Sequence, residues 1–137
     1  MKRSIILSAF FSASLLAGTA HGMEMTAGQI EYKQACASCH GVSGKGDGPV
    51  STYMSKPVPD LTQIRARNDG VFPFQDLLEL VDGRLSERQP GPHGTEMPVW
   101  GERYAFGDGV DDPVEAEINT LGRMASLIYY LHNLQEK

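Results

Sequence analysis

The chain has 137 residues, with 17 acidic and 12 basic side chains and a formal charge of −5 at pH 7. An acidic chain is a poor ligand for nucleic acid and for anionic membrane surfaces, so we expect no nucleic-acid binding and no stable membrane insertion. The length suits one small domain rather than two.

The N-terminus is typical of a secretory signal peptide. Lys2 and Arg3 are followed by an apolar run over residues 5–17 and then by small residues. The run is shorter than the roughly 20 apolar residues that a membrane span needs. We predict a signal peptide over residues 1–22, cleaved near 20–22, and an exported, periplasmic domain over 23–137. Loss of Lys2 and Arg3 changes the formal charge from −5 to −7, which suits redox protein partners with a basic docking patch.

Two helix starts are predicted in the first half of this domain. Thr26, with Gln29 three residues later, has the pattern of a capping box and begins a helix that runs to the cysteines. Asp60 and Gln63 repeat the pattern in the segment PDLTQIRAR, which therefore predicts a second helix.

Two further helices are predicted downstream. In FPFQDLLELVDG, apolar residues recur at helical spacing from Phe74 to Val81, and Gly83 can end the helix. The last helix begins with Asp112 as N-cap and Pro113 in the first turn. Its apolar series is Ile118, Leu121, Ala125, Ile128 and Leu131.

Long irregular segments separate these helices, at residues 41–59, 83–101 and 104–111. Loops of this length in a small domain are normally functional or wrapped around another group. We therefore predict an all-α fold of about four short helices, with long loops around a large apolar group that the sequence itself does not supply.

The segment CASCH indicates what that group is. Cys36 and Cys39 are three residues apart and His40 follows directly, which is the spacing of a c-type haem attachment site. Each thiol can add to one vinyl group of the porphyrin, and His40 then lies beneath the iron as proximal ligand. An exported disulfide would leave the histidine and the long loops unexplained. Zinc would need two more ligands nearby, and a thioredoxin-like dithiol would need alternating strands and helices.

The chain resembles the class I c-type cytochromes, small helical periplasmic proteins with a single haem. The resemblance spans essentially the whole mature chain. It rests on the N-terminal helix that runs into CASCH, the HGVSGKGDGP that follows, EMPVWG, and the C-terminal helix. It implies one covalent haem c and an electron-carrying rather than enzymatic role.

The sixth iron position has several candidate ligands. Met97 precedes a proline, which favours extended backbone and suits a loop that lays a side chain across a ring. The resemblance implies the same residue, since a Met-Pro loop before the last helix supplies the distal thioether in the family. His93 is the main rival, and an open position is the third possibility. We expect His132 at the surface, Met124 in the core and Met54 in loop packing.

Other residues have roles that the resemblance implies. The carbonyl of Pro49 would accept the Nδ1–H of His40 and fix its orientation. The first and last helices would cross beside the haem, with Gly28 and Tyr32 against Gly122, Leu127 or Tyr130. Trp100, Tyr104 and Arg65 are candidates for contact with the haem propionates.

The sequence thus predicts a periplasmic electron-transfer protein that cycles its haem between Fe(II) and Fe(III). One alternative is a tightly bound cytochrome subunit of a periplasmic dehydrogenase or oxidase complex. Another is a small haem enzyme or gas sensor with an exchangeable sixth ligand.

Overall fold

The computed structural model describes residues 25–84, 97–107 and 109–136, without the side chain of Phe106. These residues form an all-α fold without strands, which confirms the predicted class. The described helices are α1 Ala27–Glu31, α2 Ala37–His40, α3 Phe74–Asp82, α4 Trp100–Gly107 and α5 Pro113–Asn133. None of them has the length and apolar character of a membrane-spanning helix. The predicted signal peptide and His93 lie outside the described residues.

A π-helical turn, Tyr32–Cys36, joins α1 to α2. The first turn of α1 is capped as the sequence predicts, because Thr26 Oγ1 accepts a hydrogen bond from the backbone N–H of Gln29 at 3.3 Å. A π turn is wider than an α turn and therefore rotates the residues that follow it. Because the turn ends at Cys36, its geometry sets the direction of α2, which carries the rest of the attachment motif.

The segment PDLTQIRAR does not form the predicted α-helix. It folds as two 3-10 turns, Leu61–Gln63 and Ala66–Asn68. Asp60 Oδ1 accepts hydrogen bonds from the backbone N–H of Thr62 at 2.8 Å and from its hydroxyl at 2.6 Å. The carboxylate thus caps a single short turn, and the left-handed Asp69, at φ 51°, ends the segment.

The predicted ends of α3 and α5 are confirmed. Gly83 ends α3 with φ 70°, in the left-handed region that favours glycine. Asp112 Oδ1 accepts hydrogen bonds from the backbone N–H groups of Val114 and Glu115, each at 2.9 Å. Both helix ends are set by contacts within a few residues.

Helix α4 was missed by the sequence analysis, which assigned residues 83–101 and 104–111 to loops. Its weak signal is the pair Trp100 and Tyr104, one turn apart, with ring centroids 5.8 Å from each other. Gly101 and Gly107 lower the helix propensity of this short segment. Its contacts with α3 and α5 compensate for that, so packing rather than local preference makes the helix.

The core lies where α1 crosses α5. Tyr32, Met124 and Ile128 are completely buried there. A Cβ atom on Gly28 would overlap with the carbonyl oxygen of Ser126 and lie 2.9 Å from the Cβ of Tyr130. The predicted crossing at Gly28 is therefore confirmed, with Ser126 and Tyr130 as its partners. Gly122 is not part of it, since a Cβ there would meet no atom of the described part of the chain within 4 Å.

Part of the predicted apolar face of α5 points away from this core. Ile118 is 64% exposed and Leu121 is 41% exposed, whereas Ile128 and Leu131 are buried. The helix is longer than the elements that pack against it. Its first half therefore carries an apolar stripe that the described residues leave uncovered.

Candidate functional site

The two cysteines of the attachment motif lie at the junction of the π turn and α2. Cys36 precedes α2 and Cys39 lies within it, so a separation of three residues places the two side chains on one helical face. Both thiols are half-buried and are not joined to each other. His40 is the last residue of α2, and Gly41, at φ 80°, turns the chain away behind it.

The ring of His40 is fixed by a backbone carbonyl. Its Nδ1 lies 3.2 Å from the carbonyl oxygen of Pro59. Since a carbonyl can only accept, Nδ1 carries the proton and Nε2 keeps its lone pair. Burial also lowers the pKa of His40, which favours the neutral imidazole. A neutral ring with a free Nε2 lone pair, held by its other nitrogen, is the form that binds a metal.

Pro49 does not have the role that the resemblance implied, and Pro59 has it instead. Pro49 is exposed, in a turn that runs beside α2. The N–H of Gly48 donates to Cys39 O at 3.1 Å, and the N–H of Val50 donates to Ser38 O at 2.9 Å. These bonds satisfy the free carbonyls at the end of α2. They hold the chain around Pro49 beside α2. The loop returns to the imidazole of His40 ten residues later, at Pro59.

The environment of Cys36 does not favour thiolate chemistry. Burial, followed by the neighbouring Glu31 and Cys39, raises the pKa of Cys36 to about 12. A thiol in this state is a poor redox nucleophile and a poor zinc ligand at neutral pH. Within the described residues, no group of three His, Cys, Asp or Glu side chains converges to hold a metal ion.

Met97 is half-buried and packs against the same core cluster as Cys36. It stands immediately before Pro98 and three residues before the start of α4. Other half-buried apolar side chains against this cluster are Phe72, Leu77, Leu78 and Trp100. Met124 is completely buried in the core, as predicted, and Met54 is half-buried.

His132 is not the surface residue that the sequence analysis predicted. Its Nε2 lies 2.8 Å from Nη2 of Arg65, and its ring meets Phe72 edge-on with centroids 5.1 Å apart. A guanidinium only donates, so Nε2 accepts and Nδ1 carries the proton. That Nδ1 and the hydroxyl of Tyr104 are buried polar atoms without a hydrogen-bond partner in the described part of the chain.

A charged pair that the sequence analysis missed lies next to the attachment motif. Glu31 and Arg123 join α1 to α5 with a 2.8 Å ion pair. The guanidinium also stands 4.0 Å over the ring of Tyr104. Burial, then Glu31 and Cys36, raise the pKa of the Tyr104 hydroxyl, so it stays protonated. The pairing joins residues 92 positions apart, and no local sequence signal marks it.

Together these residues fit a covalently held haem. Two half-buried thiols at the attachment spacing precede an imidazole with a free Nε2 lone pair, and a thioether and apolar side chains pack nearby.

Comparison with known proteins gives one match. The family model described as Cytochrome c matches residues 25–108. This range includes the cysteines, the imidazole, Pro59 and Met97. No curated protein and no solved structure matches the chain.

Proposed function

The chain belongs to the cytochrome c family, and on that premise we propose that it is a periplasmic electron carrier with His40 and Met97 as its axial ligands. The family match itself implies covalently bound haem c and haem-based electron transfer. When bound, haem c supplies one-electron chemistry between Fe(II) and Fe(III). The protein sets potential, access and docking.

The observation that carries the proposal is the fixed orientation of His40. Its Nδ1–H donates to Pro59 O, so its Nε2 lone pair is available directly behind the two thiols. That donated bond also makes the imidazole a better ligand. Because α2 and the returning loop both hold the ring, a change of one unit of charge at the iron requires little movement of the protein.

Met97 is proposed as the distal ligand on its position and packing. It packs against the same core cluster as Cys36 and directly precedes Pro98. A His/Met pair raises the potential of haem iron relative to two nitrogen ligands. His93 remains the rival, and an open iron would instead support a sensor or a small haem enzyme.

The periplasmic location rests on the predicted signal peptide over residues 1–22 and on the usual export of c-type cytochromes. Measurement of the N-terminus of the mature protein from a periplasmic extract tests it. A start near residues 21–23 supports the proposal, and retention of the full N-terminus in a membrane fraction would refute it.

We propose further that the partner docks through a basic patch. Among the described residues between 69 and 117, exposed acidic side chains outnumber the exposed basic ones, Arg84 and Arg103. They are Asp69, Asp76, Glu79, Glu102, Asp111, Asp112 and Glu115. Such a surface steers cationic partners at low ionic strength. Electron exchange with a cationic ruthenium ammine should slow as salt rises, and exchange with an anionic iron cyanide should not. Equal salt effects on both would rule out this steering.

Carbon monoxide binding tests whether a protein side chain occupies the sixth position of the iron. The chain is expressed with its signal peptide in a host that matures c-type haem, and carbon monoxide is added to the reduced protein. We expect wild type to resist and Met97→Ala to bind. If both bind, the sixth position is open and the carrier proposal fails. If both resist, another residue closes the iron, and the His93→Ala variant identifies or excludes His93.

The uncovered stripe on α5 favours a second candidate function, a tightly bound subunit of a periplasmic dehydrogenase or oxidase. Val114, Ile118 and Leu121 recur at helical spacing in the first half of this helix and are 66%, 64% and 41% exposed among the described residues. A contiguous apolar face on a small protein commonly marks an interface. Gel filtration at native expression level separates the alternatives, since a free carrier elutes as a monomer and a subunit elutes with its complex.

A further inference from the structure

The chain on either side of residues 85–96 meets at one junction. Gly83 ends α3, and a Cβ atom built on it would lie 3.3 Å from Cγ1 of Val99. Val99 is two residues after Met97 and directly precedes α4. The end of α3 and the beginning of the Met97 segment are therefore in close contact.

Arg84 holds this junction through two carboxylates. Its Nε lies 2.7 Å from Asp82 Oδ1 and its Nη2 2.9 Å from Asp82 Oδ2, a bidentate pair. The same guanidinium reaches α5, with Nη1 2.8 Å from Glu117 Oε2 and Nη2 3.2 Å from Oε1. Asp82 is only 4% exposed. One side chain thus links the end of α3 to the first half of α5.

Helix α4 lies directly on this ion pair. A Cβ atom on Gly101 would overlap with Asp82 Oδ1 and with Nε of Arg84. Only a glycine lets the first turn of α4 approach so closely. The group formed by Asp82, Arg84, Glu117 and Gly101, which we call the Arg84 clasp, therefore fixes α4 against both α3 and α5.

The clasp is costly to break. A nearly buried carboxylate that loses its partner keeps the desolvation penalty without the compensating bonds. Met97 stands three residues before the start of α4, and three residues of chain span about 10 Å at most. The position of α4 therefore limits where the thioether of Met97 can lie.

We propose that the Arg84 clasp positions Met97 as the sixth ligand and keeps the iron closed. This proposal rests on the proposed function, in which Met97 is the distal ligand. Asp82, Arg84, Glu117 and Gly101 are positioning residues. They act through α4 and need not touch the haem.

Two variants break the clasp in different ways. Arg84→Met removes the charge and keeps most of the length of the side chain, whereas Gly101→Ala adds a methyl group against Asp82 without changing any charge. Gly107→Ala, at the other end of α4, is the matched control because a Cβ there meets no atom of the described residues within 4 Å. Arg103→Met is the matched control for the lost charge, since Arg103 is exposed on α4 and stacks on Trp100.

The readouts are the rate of carbon monoxide binding to the ferrous protein and the iron–thioether charge-transfer band of the ferric protein. Both are measured where circular dichroism gives the wild-type helix signal. We expect Arg84→Met and Gly101→Ala to bind carbon monoxide about tenfold faster, the factor that corresponds to about 1.4 kcal/mol. Their charge-transfer band should weaken, and both controls should match wild type. Arg84→Lys keeps the charge but not the bidentate geometry, so it should bind carbon monoxide at a rate between those of wild type and Arg84→Met.

The outcomes separate this proposal from the proposed function. If Met97→Ala opens the iron but folded Arg84→Met, Arg84→Lys and Gly101→Ala all stay closed, the clasp does not position the ligand and the proposal is overturned. If wild type binds carbon monoxide as fast as Met97→Ala, Met97 does not occupy the sixth position of the iron. The proposed axial ligand and the clasp proposal then fail together. Should Arg84→Met not fold, Arg84→Lys and Gly101→Ala decide the result.

Discussion

Arg123 of α5 holds Glu31 of α1 across the crossing of the first and last helices, with Nε 2.8 Å from Oε1 and Nη2 3.1 Å from Oε2. The side chain of Glu31 is 14% exposed and that of Arg123 is 28% exposed. The pair is thus mostly shielded from water, and the guanidinium of Arg123 contacts the ring of Tyr104. Glu31 stands five residues before Cys36 in the chain. It links the helix that carries the haem attachment motif to the helix that closes the domain.

Loss of this pair should destabilise the protein measurably. We expect Arg123→Met to lower the free energy of unfolding by about 2 kcal/mol, because the half-buried carboxylate of Glu31 loses both hydrogen bonds. Urea titration of the haem-loaded protein measures this. Lys45→Met is the control, since the pair of Lys45 with Glu136 is about half exposed and should contribute less to stability. Equal effects of the two variants would contradict the structural role of Arg123.

The geometry of the helix crossing predicts that alanine at two glycine positions changes the free energy of unfolding in opposite directions. Gly28→Ala should lower the free energy of unfolding by about 2 kcal/mol or more, because the new methyl group overlaps with the backbone of Ser126. Gly122→Ala should raise the free energy of unfolding by up to about 1 kcal/mol, since Gly122 lies inside α5 and the described residues leave open space around it. Thermal unfolding of the two variants beside wild type gives the sign of each change in stability. A destabilised Gly122→Ala would indicate a contact at this position that the described residues do not include.

Covalent attachment predicts a graded response to loss of the thiols. Cys36→Ala or Cys39→Ala alone should retain the haem through one remaining thioether, and the double variant should lose it on acidic organic extraction. Mass spectrometry of the extracted protein counts the bound haem. Ser38→Ala, exposed between the two cysteines, is the control and should behave as wild type. Haem retained by the double variant would exclude attachment through these thiols.

Acid should weaken the Arg84 clasp through Asp82. The hydrogen bonds from the Arg84 side chain hold the pKa of Asp82 below its ordinary value of 3.8, against the opposing effect of burial. A lowered folded-state pKa stabilises the native protein above the unfolded-state value. That contribution is lost as pH falls through the folded-state pKa.

The free energy of unfolding should therefore fall more steeply in wild type than in Asp82→Asn between about pH 5 and about pH 2. Urea titrations across this range compare the two slopes. Asp76→Asn, which removes an exposed carboxylate from the same helix, is the matched control. Parallel curves for wild type and Asp82→Asn would show that the clasp carboxylate does not contribute to acid sensitivity.

Features that depend on neighbours in the chain could be predicted from the sequence. The caps at Thr26 and Asp112 and the glycine that ends α3 all act within four residues. The attachment motif is equally local, because covalent bonding to the haem requires only the two thiols and the adjacent histidine in order. Residue types at short fixed spacings therefore predicted the family, the cofactor and three of the helix ends.

Features that depend on packing at a distance needed the tertiary structure. The carbonyl behind His40 belongs to Pro59 rather than Pro49, because the loop must first satisfy the carbonyls of α2 before it turns back. Helix α4, the exposed Ile118, and the pairing of Glu31 with Arg123 likewise follow from how the helices lie against one another. Such contacts join residues tens of positions apart, and their energies depend on burial, which no single short segment of the sequence determines.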